Sequence, residues 1–422
     1  MESSVQVAIR IRPKAFNDMT TEDSFLYDQT SITTNFSNPS ETKKFHQVFG
    51  PNAKQEDLYS FIAPNINLAE QGISSTILAF GPANSGKTFT IFGIPSDLGM
   101  IHKVFSHLFQ YKSSNFIVSY SMMQIYNEKI YDMIEDPNLE HPLQLKQDPC
   151  IGVIIDKISK HYINSPEEGM QFTNIGKNNR LANSQLPSIN RSRSHAICEI
   201  YLESTTANVR GNFYKSIIRL CDLASCDKIS YYTTQQENRH KDMPIFDLSL
   251  LKLSYIIQSL ASRKQHFVPY KDSTLTYVLK DTLEGRTKFS IITTIYFSAD
   301  CISETLCTLK FASRAKKIIT QIVPYEITFA EKQVLDNIRS DLEVKKNRSK
   351  KVANEKHKKI RNVYEENNKY KSNTPYVSIK KLTVGLKKLQ YKLGKKVAIG
   401  KNEEKMSDKT FQNFSNDCLP KN

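Results

Sequence analysis

The chain has 422 residues, 39% of them hydrophobic, with 22 Phe, 20 Tyr and no Trp. That is enough apolar material for a large core, and no run approaches the ~18 apolar residues that a membrane-spanning helix needs. The formal net charge of +15 points to polyanionic partners and is unevenly placed: residues 344–401 carry 19 Lys/Arg against 3 Asp/Glu, whereas residues 1–317 are close to balance.

The first residues, Met1-Glu2-Ser3-Ser4-Val5, have neither the basic start nor the apolar run of a secretory leader, so none is expected. Seven cysteines (150, 198, 221, 226, 301, 307, 418) show no metal-ligand spacing and are odd in number. Reduced, mostly buried thiols in a cytosolic or nuclear protein follow as the expectation.

In chain order, the segment Val5 to Arg12 alternates as a strand until Pro13 ends it. A helix is expected over about 55–70, then an apolar strand, Ser75-Thr76-Ile77-Leu78-Ala79-Phe80. That strand feeds Gly81-Pro82-Ala83-Asn84-Ser85-Gly86-Lys87-Thr88, which fits G-x-x-x-x-G-K-[ST]. Such a loop aims backbone N–H groups at phosphates, with Lys87 reaching the β/γ-phosphates and the Thr88 hydroxyl holding Mg²⁺.

Further strands are expected at 117–125, 196–200, 216–221 and 290–295, and helices at about 166–178, 245–262 and 303–318. Strands and helices interleave over about 317 residues without a Pro/Gly-rich linker, which predicts one α/β domain with a mostly parallel sheet. Asp222 ends an apolar strand and suits a role toward Mg²⁺. Asn190-Arg191-Ser192-Arg193-Ser194-His195 offers hydroxyls and a guanidinium suited to sensing a γ-phosphate.

Over about residues 4–325 the chain resembles a kinesin motor domain with its motor at the N-terminal side. Arg10-x-Arg12-Pro13 is similar to the family's adenine-side motif, and Gly81 to Thr88, followed by Phe89-Thr90, to its P-loop. Asn127 to Asp132 matches "YNE-IYDL". Asn179-Arg180 and Ser192-Arg193-Ser194-His195 match switch I, and Asp222-Leu223-Ala224 matches switch II. Val268 to Thr276 is similar to the "VPYRDSKLT" loop facing the microtubule, and Glu304 to Ala315 to the closing helix before the neck linker.

The resemblance implies a kinesin-type P-loop NTPase fold, a central mixed, mostly parallel sheet with helices on both faces. It implies binding of ATP and Mg²⁺, with microtubules (tubulin) as partner, in the cytoplasm on the cytoskeleton, the spindle included. Carried over by position, Gly81, Pro82, Ala83, Asn84, Ser85, Gly86, Lys87, Thr88 and Phe89 surround the phosphates, with Arg10, Arg12 and Pro13 on the base side. Thr88 and Ser192 ligate Mg²⁺ with Asp222 behind them, Ser225 meets the γ-phosphate, and Arg193 pairs with Asp227 across the switches.

The chain departs from the family at several of these points. Ser225 replaces a glycine and Asp227 a glutamate in switch II; Arg191 and Ser188 alter switch I. Thr274 and Tyr277 stand where Lys and Arg are usual on the microtubule face. In the linker, Thr320 and Tyr325 replace docking asparagines, Pro324 lacks an N–H, and only four residues precede Val5 to serve as a cover strand. Slow hydrolysis and weak or non-processive motility are therefore expected, the alternative being a hydrolysis-deficient microtubule tether or scaffold. The expected domains are a motor at 1–317, a neck linker at 318–325, a helical neck at 326–371 and a basic tail at 372–422. The tail holds an amphipathic helix at about 379–393. Its C-terminal helices are candidates for a homodimer or partner-chain contact, and its charge for a polyanion.

Overall fold

The computed structural model describes residues 2–16, 18, 25–36, 40–110, 115–135, 140–148, 152–182, 193–226, 245–262, 268–333 and 336–337. The chain divides into two units, Met1–Val334 and Leu335–Asn422. The architecture below is that of the first. The helix expected at 379–393 and most of the neck expected at 326–371 lie outside the described residues.

The central sheet runs β11 (Lys129–Asp132), β10 (Phe116–Tyr126), β15 (His195–Ser204), β16 (Phe213–Asp222), β7 (Ser75–Phe80), β17 (Lys288–Ile295), β2 (Gln6–Ile11) and β6 (Gln47–Phe49). From β16 to β6 neighbours are parallel; from β11 to β16 they are antiparallel. The sheet is thus mixed, and the parallel half carries the nucleotide loop. Outside it lie a small meander, β3 (Phe25–Tyr27), β4 (Ser31–Thr34) and β5 (Glu41–Lys44). Two hairpins, β8 (Gly93–Ile94) with β9 (Asp97–Leu98) and β12 (Leu145–Asp148) with β13 (Gly152–Ile155), complete that set, while the two-residue β14 (His161–Tyr162) joins the central sheet by pairing with β10.

Every residue of β7 is buried, because helices cover both faces of the sheet. Ile77 and Ala79 pack on one side with helices α1 (Gln55–Asn67), α2 (Lys87–Phe92), α3 (Met100–Gln110) and α4 (Pro166–Ala182). Leu78 and Phe80 face the other side, with α5 (Ile245–Ser262), α6 (Thr274–Val278), α7 (Lys280–Leu283) and α8 (Ile302–Ala315). The period-2 alternation of side chains divides one continuous apolar run between two cores. Burying each Ile or Leu contributes roughly 1.5–3 kcal/mol.

The linker differs from its sequence reading. Short as it is, the N-terminal segment forms β1 (Glu2–Ser4), which pairs antiparallel with β18 (Ile319–Gln321). The Thr320 hydroxyl donates to Ser3 O at 2.8 Å, and Thr320 is buried. Beyond Pro324, the Tyr325 N–H donates to Gly72 O at 2.9 Å, and β19 (Tyr325–Ile327) pairs with the first residues of β16. Ile318, Ile322 and Ile327 anchor this path by burial. Pro324 falls between two short ladders, where its missing N–H breaks neither.

Candidate functional site

The P-loop connects the C-terminal end of β7 to α2. Gly81 has φ 157°, and a Cβ there would lie 2.1 Å from Thr294 O on β17, so only glycine fits so close a backbone approach. Gly86, at φ 103°, caps α2 in the left-handed region. The buried Ser85 hydroxyl, 2.7 Å from both Pro82 O and Thr294 Oγ1, ties the loop to β17. Lys87 Nζ donates to Gly81 O at 2.9 Å and Pro82 O at 2.6 Å, which folds the lysine along the inside of the loop.

Asp222 ends β16 beside the P-loop strand, in register with Ala79. Its Oδ2 accepts from Thr88 Oγ1 at 2.8 Å and from Arg180 Nη1 at 2.9 Å. Arg180 comes from the last turn of α4, and its Nη2 also donates to Ser194 O at 2.9 Å. The chain after Asp222 hugs the loop: Leu223 N–H donates to Ala79 O, and Cys226 N–H to Gly81 O at 3.2 Å. A cavity of about 320 Å³ is lined by Ala83, Asn84, Gly86, Lys87, Thr88, Phe89, Arg180, Asp222, Leu223 and Ser225.

The residues present fit a divalent cation. Asp222 is 1% exposed, and its Oδ1 has no hydrogen-bond partner among the described residues. A buried carboxylate oxygen left over beside a threonine hydroxyl is a hard-oxygen set of the kind Mg²⁺ takes.

Several sequence candidates lie elsewhere. Arg10 is buried behind α2, donating to Gln55 Oε1 at 3.0 Å and Thr90 Oγ1 at 2.9 Å, with Phe89 stacked on it. Burial pulls its pKa down to about 10, which leaves it charged at neutral pH. Arg12 pairs with Asp18 at 2.7 Å over the Tyr296 ring, and Pro13 is exposed. None of the three lines the cavity, nor do Gly81, Pro82 and Ser85, which shape it from beneath. Arg193 is half-buried, while Ser192, Arg191, Ser188 and Asp227 lie outside the described residues.

Ser225 is not at positive φ: among the described non-glycine residues only Asn84, Asn127, Glu128 and Lys157 are. The serine therefore carries no left-handed strain in this conformation. Arg180 and Thr90 fall in stretches that resemble switch I and the P-loop, but no individual role was legible in the sequence for them or for Gln55. The bonds Gln55–Phe89, Arg180–Asp222 and Arg10–Thr90 span 34, 42 and 80 positions, so they are set by tertiary packing.

The segment 268–283 forms a second surface. Its Thr274 hydroxyl donates to Glu128 O at 2.8 Å, and the Thr274 N–H donates to the Glu128 carboxylate at 2.5 Å. Tyr277 OH reaches Gln147 Oε1 at 3.2 Å. Lys252 pairs with Asp272, while Lys280 and Arg286 both pair with Glu284. Lys252, Lys280 and Arg286 thus already have carboxylate neighbours, whereas Lys271 lies over the Tyr277 ring. Arg263 and Lys264 lie outside the described residues.

A glycine loop with Lys and Thr, a strand-ending Asp against that Thr, and a parallel sheet behind them define the fold of a P-loop nucleoside triphosphatase. Comparison with known proteins names the branch: the kinesin motor domain matches residues 10–318, and the chain belongs to that family. Relatives include Kinesin-related protein 4 of Dictyostelium discoideum, 31% identical over 75% of this chain, and Kinesin-like protein KIF13A of Mus musculus, 32% identical over 79%. The chain spans 17% and 19% of their respective lengths. Among solved structures, a KIF14 dimer with AMP-PNP in complex with a microtubule is similar at TM-score 0.67 and 25% identity, covering 77% of this chain and 96% of that one. A fast kinesin matches equally at TM-score 0.67, with 26% identity, covering 77% of this chain and 94% of that one. No described helix is long and apolar enough to cross a membrane.

Proposed function

We propose that the chain is an ATP-dependent microtubule motor with slow hydrolysis and weak or non-processive motility. The observation that carries the reading is the convergence of Lys87, Thr88, Arg180 and Asp222 on one cavity at the C-terminal end of the parallel strands. Such edges are where open α/β sheets bind ligands. Bound Mg-ATP would supply the phosphoanhydride and the Lewis acid, with Thr88, Asp222 and Ser192 as the groups to hold the metal. The loop amides and Lys87 hold phosphate charge, and Arg193 with Asp227 closes the two switches over it. Arg10 supports this work from behind α2, fixing the angle of the helix that presents Lys87 and Thr88.

The paired β1 and β18 support a linker able to dock, so the expected slowness rests on switch chemistry rather than on a missing cover strand. The pairing of Lys280 and Arg286 with Glu284 supports modest lattice affinity, with the basic tail from 372 onward supplying further contact to a polyanion. Steady-state ATP turnover of the full chain, with and without microtubules and beside Lys87→Ala, tests the proposal. Turnover that rises with microtubules and vanishes in Lys87→Ala supports the motor. Turnover equal to that control, with co-sedimentation intact, refutes it in favour of a tether.

A further inference from the structure

His195 closes the stretch that resembles switch I and opens β15, and the residue is 2% exposed. Nδ1 accepts the Ala224 backbone N–H at 3.0 Å. An imidazole nitrogen that accepts carries no proton, so the ring proton sits on Nε2, which donates to Ser249 Oγ at 2.8 Å. Burial first, then the charges of Arg180 and Lys87, pushes its pKa down to about 3, so the ring stays neutral at physiological pH. One side chain therefore joins the root of switch I, the main chain of switch II and helix α5 in a fixed tautomer.

The anchoring of switch II shows why this matters. Leu223 and Cys226 are held by carbonyls of Ala79 and Gly81, bonds that belong to the main chain. Ala224 lies between them and is held by a side chain. The next residue, Ser225, lines the cavity. Moving the Ala224 N–H thus moves Ser225 against a ligand, and the same ring passes the displacement to Ser249 on α5.

We infer that His195 is a positioning residue that sets the switch II main chain at Ala224 for recognition of a terminal phosphate and links that setting to α5. The inference rests on the nucleotide reading above and deepens it. Asparagine places its Oδ1 close to the position of Nδ1, which preserves the acceptor for Ala224 and loses the donor to Ser249. Glutamine reaches the position of Nε2, with the opposite result.

The test measures affinity of the full chain for a fluorescent non-hydrolysable ATP analogue and for ADP, each with and without microtubules. His195→Ala is expected to weaken the triphosphate at least tenfold while ADP changes less than threefold. His195→Asn is expected to recover most of the triphosphate affinity; His195→Gln is not. Ser249→Ala, a small change on α5, is expected to leave triphosphate affinity within threefold and to reduce the microtubule effect on it.

Native-like discrimination in His195→Ala overturns the inference. So does equal loss of both nucleotides that asparagine fails to rescue, since that is the signature of a core residue alone. If the native chain binds neither nucleotide, the nucleotide reading itself fails, and this inference with it.

Discussion

Glu199 on β15 and Arg219 on β16 stand directly opposite each other in the antiparallel register, inside the core rather than at the surface. The carboxylate and guanidinium are 2.6 Å apart, with side chains 5% and 8% exposed. Tyr201 OH also donates to Glu199. At this distance and an effective dielectric of ~20, the gross attraction is about 6 kcal/mol, much of it offset by the cost of taking two ions out of water. Burial alone would raise the Glu199 pKa; the Arg219 charge and the bonds from Tyr201 and Arg219 outweigh it and hold the carboxyl below its usual range.

The pair is therefore worth little against a hydrophobic replacement and a great deal against its own half. Glu199→Gln, which strands the guanidinium, is expected to destabilise the fold by about 3–5 kcal/mol. With a urea slope of about 3 kcal/mol/M, the midpoint falls by about 1–1.7 M. The double change Glu199→Leu with Arg219→Leu is expected to stay within about 1–2 kcal/mol of the native protein. Because the Glu199 pKa is depressed, its contribution is present above the unfolded carboxylate value and is lost as pH falls through the lower folded one. Urea titrations at neutral pH and near pH 4 measure both effects. A Glu199→Gln midpoint within 0.3 M (roughly 1 kcal/mol) of native, or a double variant as weak as the single, would refute the reasoning.

Gly81→Ala drives a Cβ into Thr294 O and is expected to abolish nucleotide binding or folding, read by fluorescent ADP binding beside circular dichroism. Arg180→Gln frees the Asp222 carboxylate, so the Mg²⁺ needed for half-maximal nucleotide retention is expected to fall at least fivefold, a shift of about 1 kcal/mol. No shift in a Mg²⁺ titration would show that Arg180 does not compete for that carboxylate. Thr274→Lys with Tyr277→Arg adds two cations, which should tighten microtubule co-sedimentation and steepen its loss with salt. The lost bond to Glu128 lowers stability by about 1 kcal/mol. Because His195 titrates near 6.5 unfolded and about 3 folded, protons favour the unfolded chain as pH falls below 6.5. Its stabilisation is therefore lost from pH 6.5 downward at roughly 1 kcal/mol per unit, and His195→Asn should flatten that part of the pH–stability curve.

The P-loop, the strand-ending Asp222 and the alternation of strands and helices were legible along the chain. Each rests on a pattern only a few residues long: a glycine where a backbone must pass close, an apolar run of strand length, an acid after it. The pairing of the linker was not legible for the same reason. Counting four residues before Val5 and noting Pro324 measured local potential, whereas β1 forms because β18 comes to lie alongside it and supplies the hydrogen bonds.

The sequence by itself determined which chemistry the chain can carry, because side-chain identity and spacing fix a phosphate loop. Only the tertiary structure decided how those groups are held. Arg180 reaches Asp222 across 42 positions, Arg10 reaches Thr90 across 80, and His195 bridges Ala224 to Ser249. A buried polar atom must find its partner wherever the folded backbone places one, and that place has no signature in the local sequence.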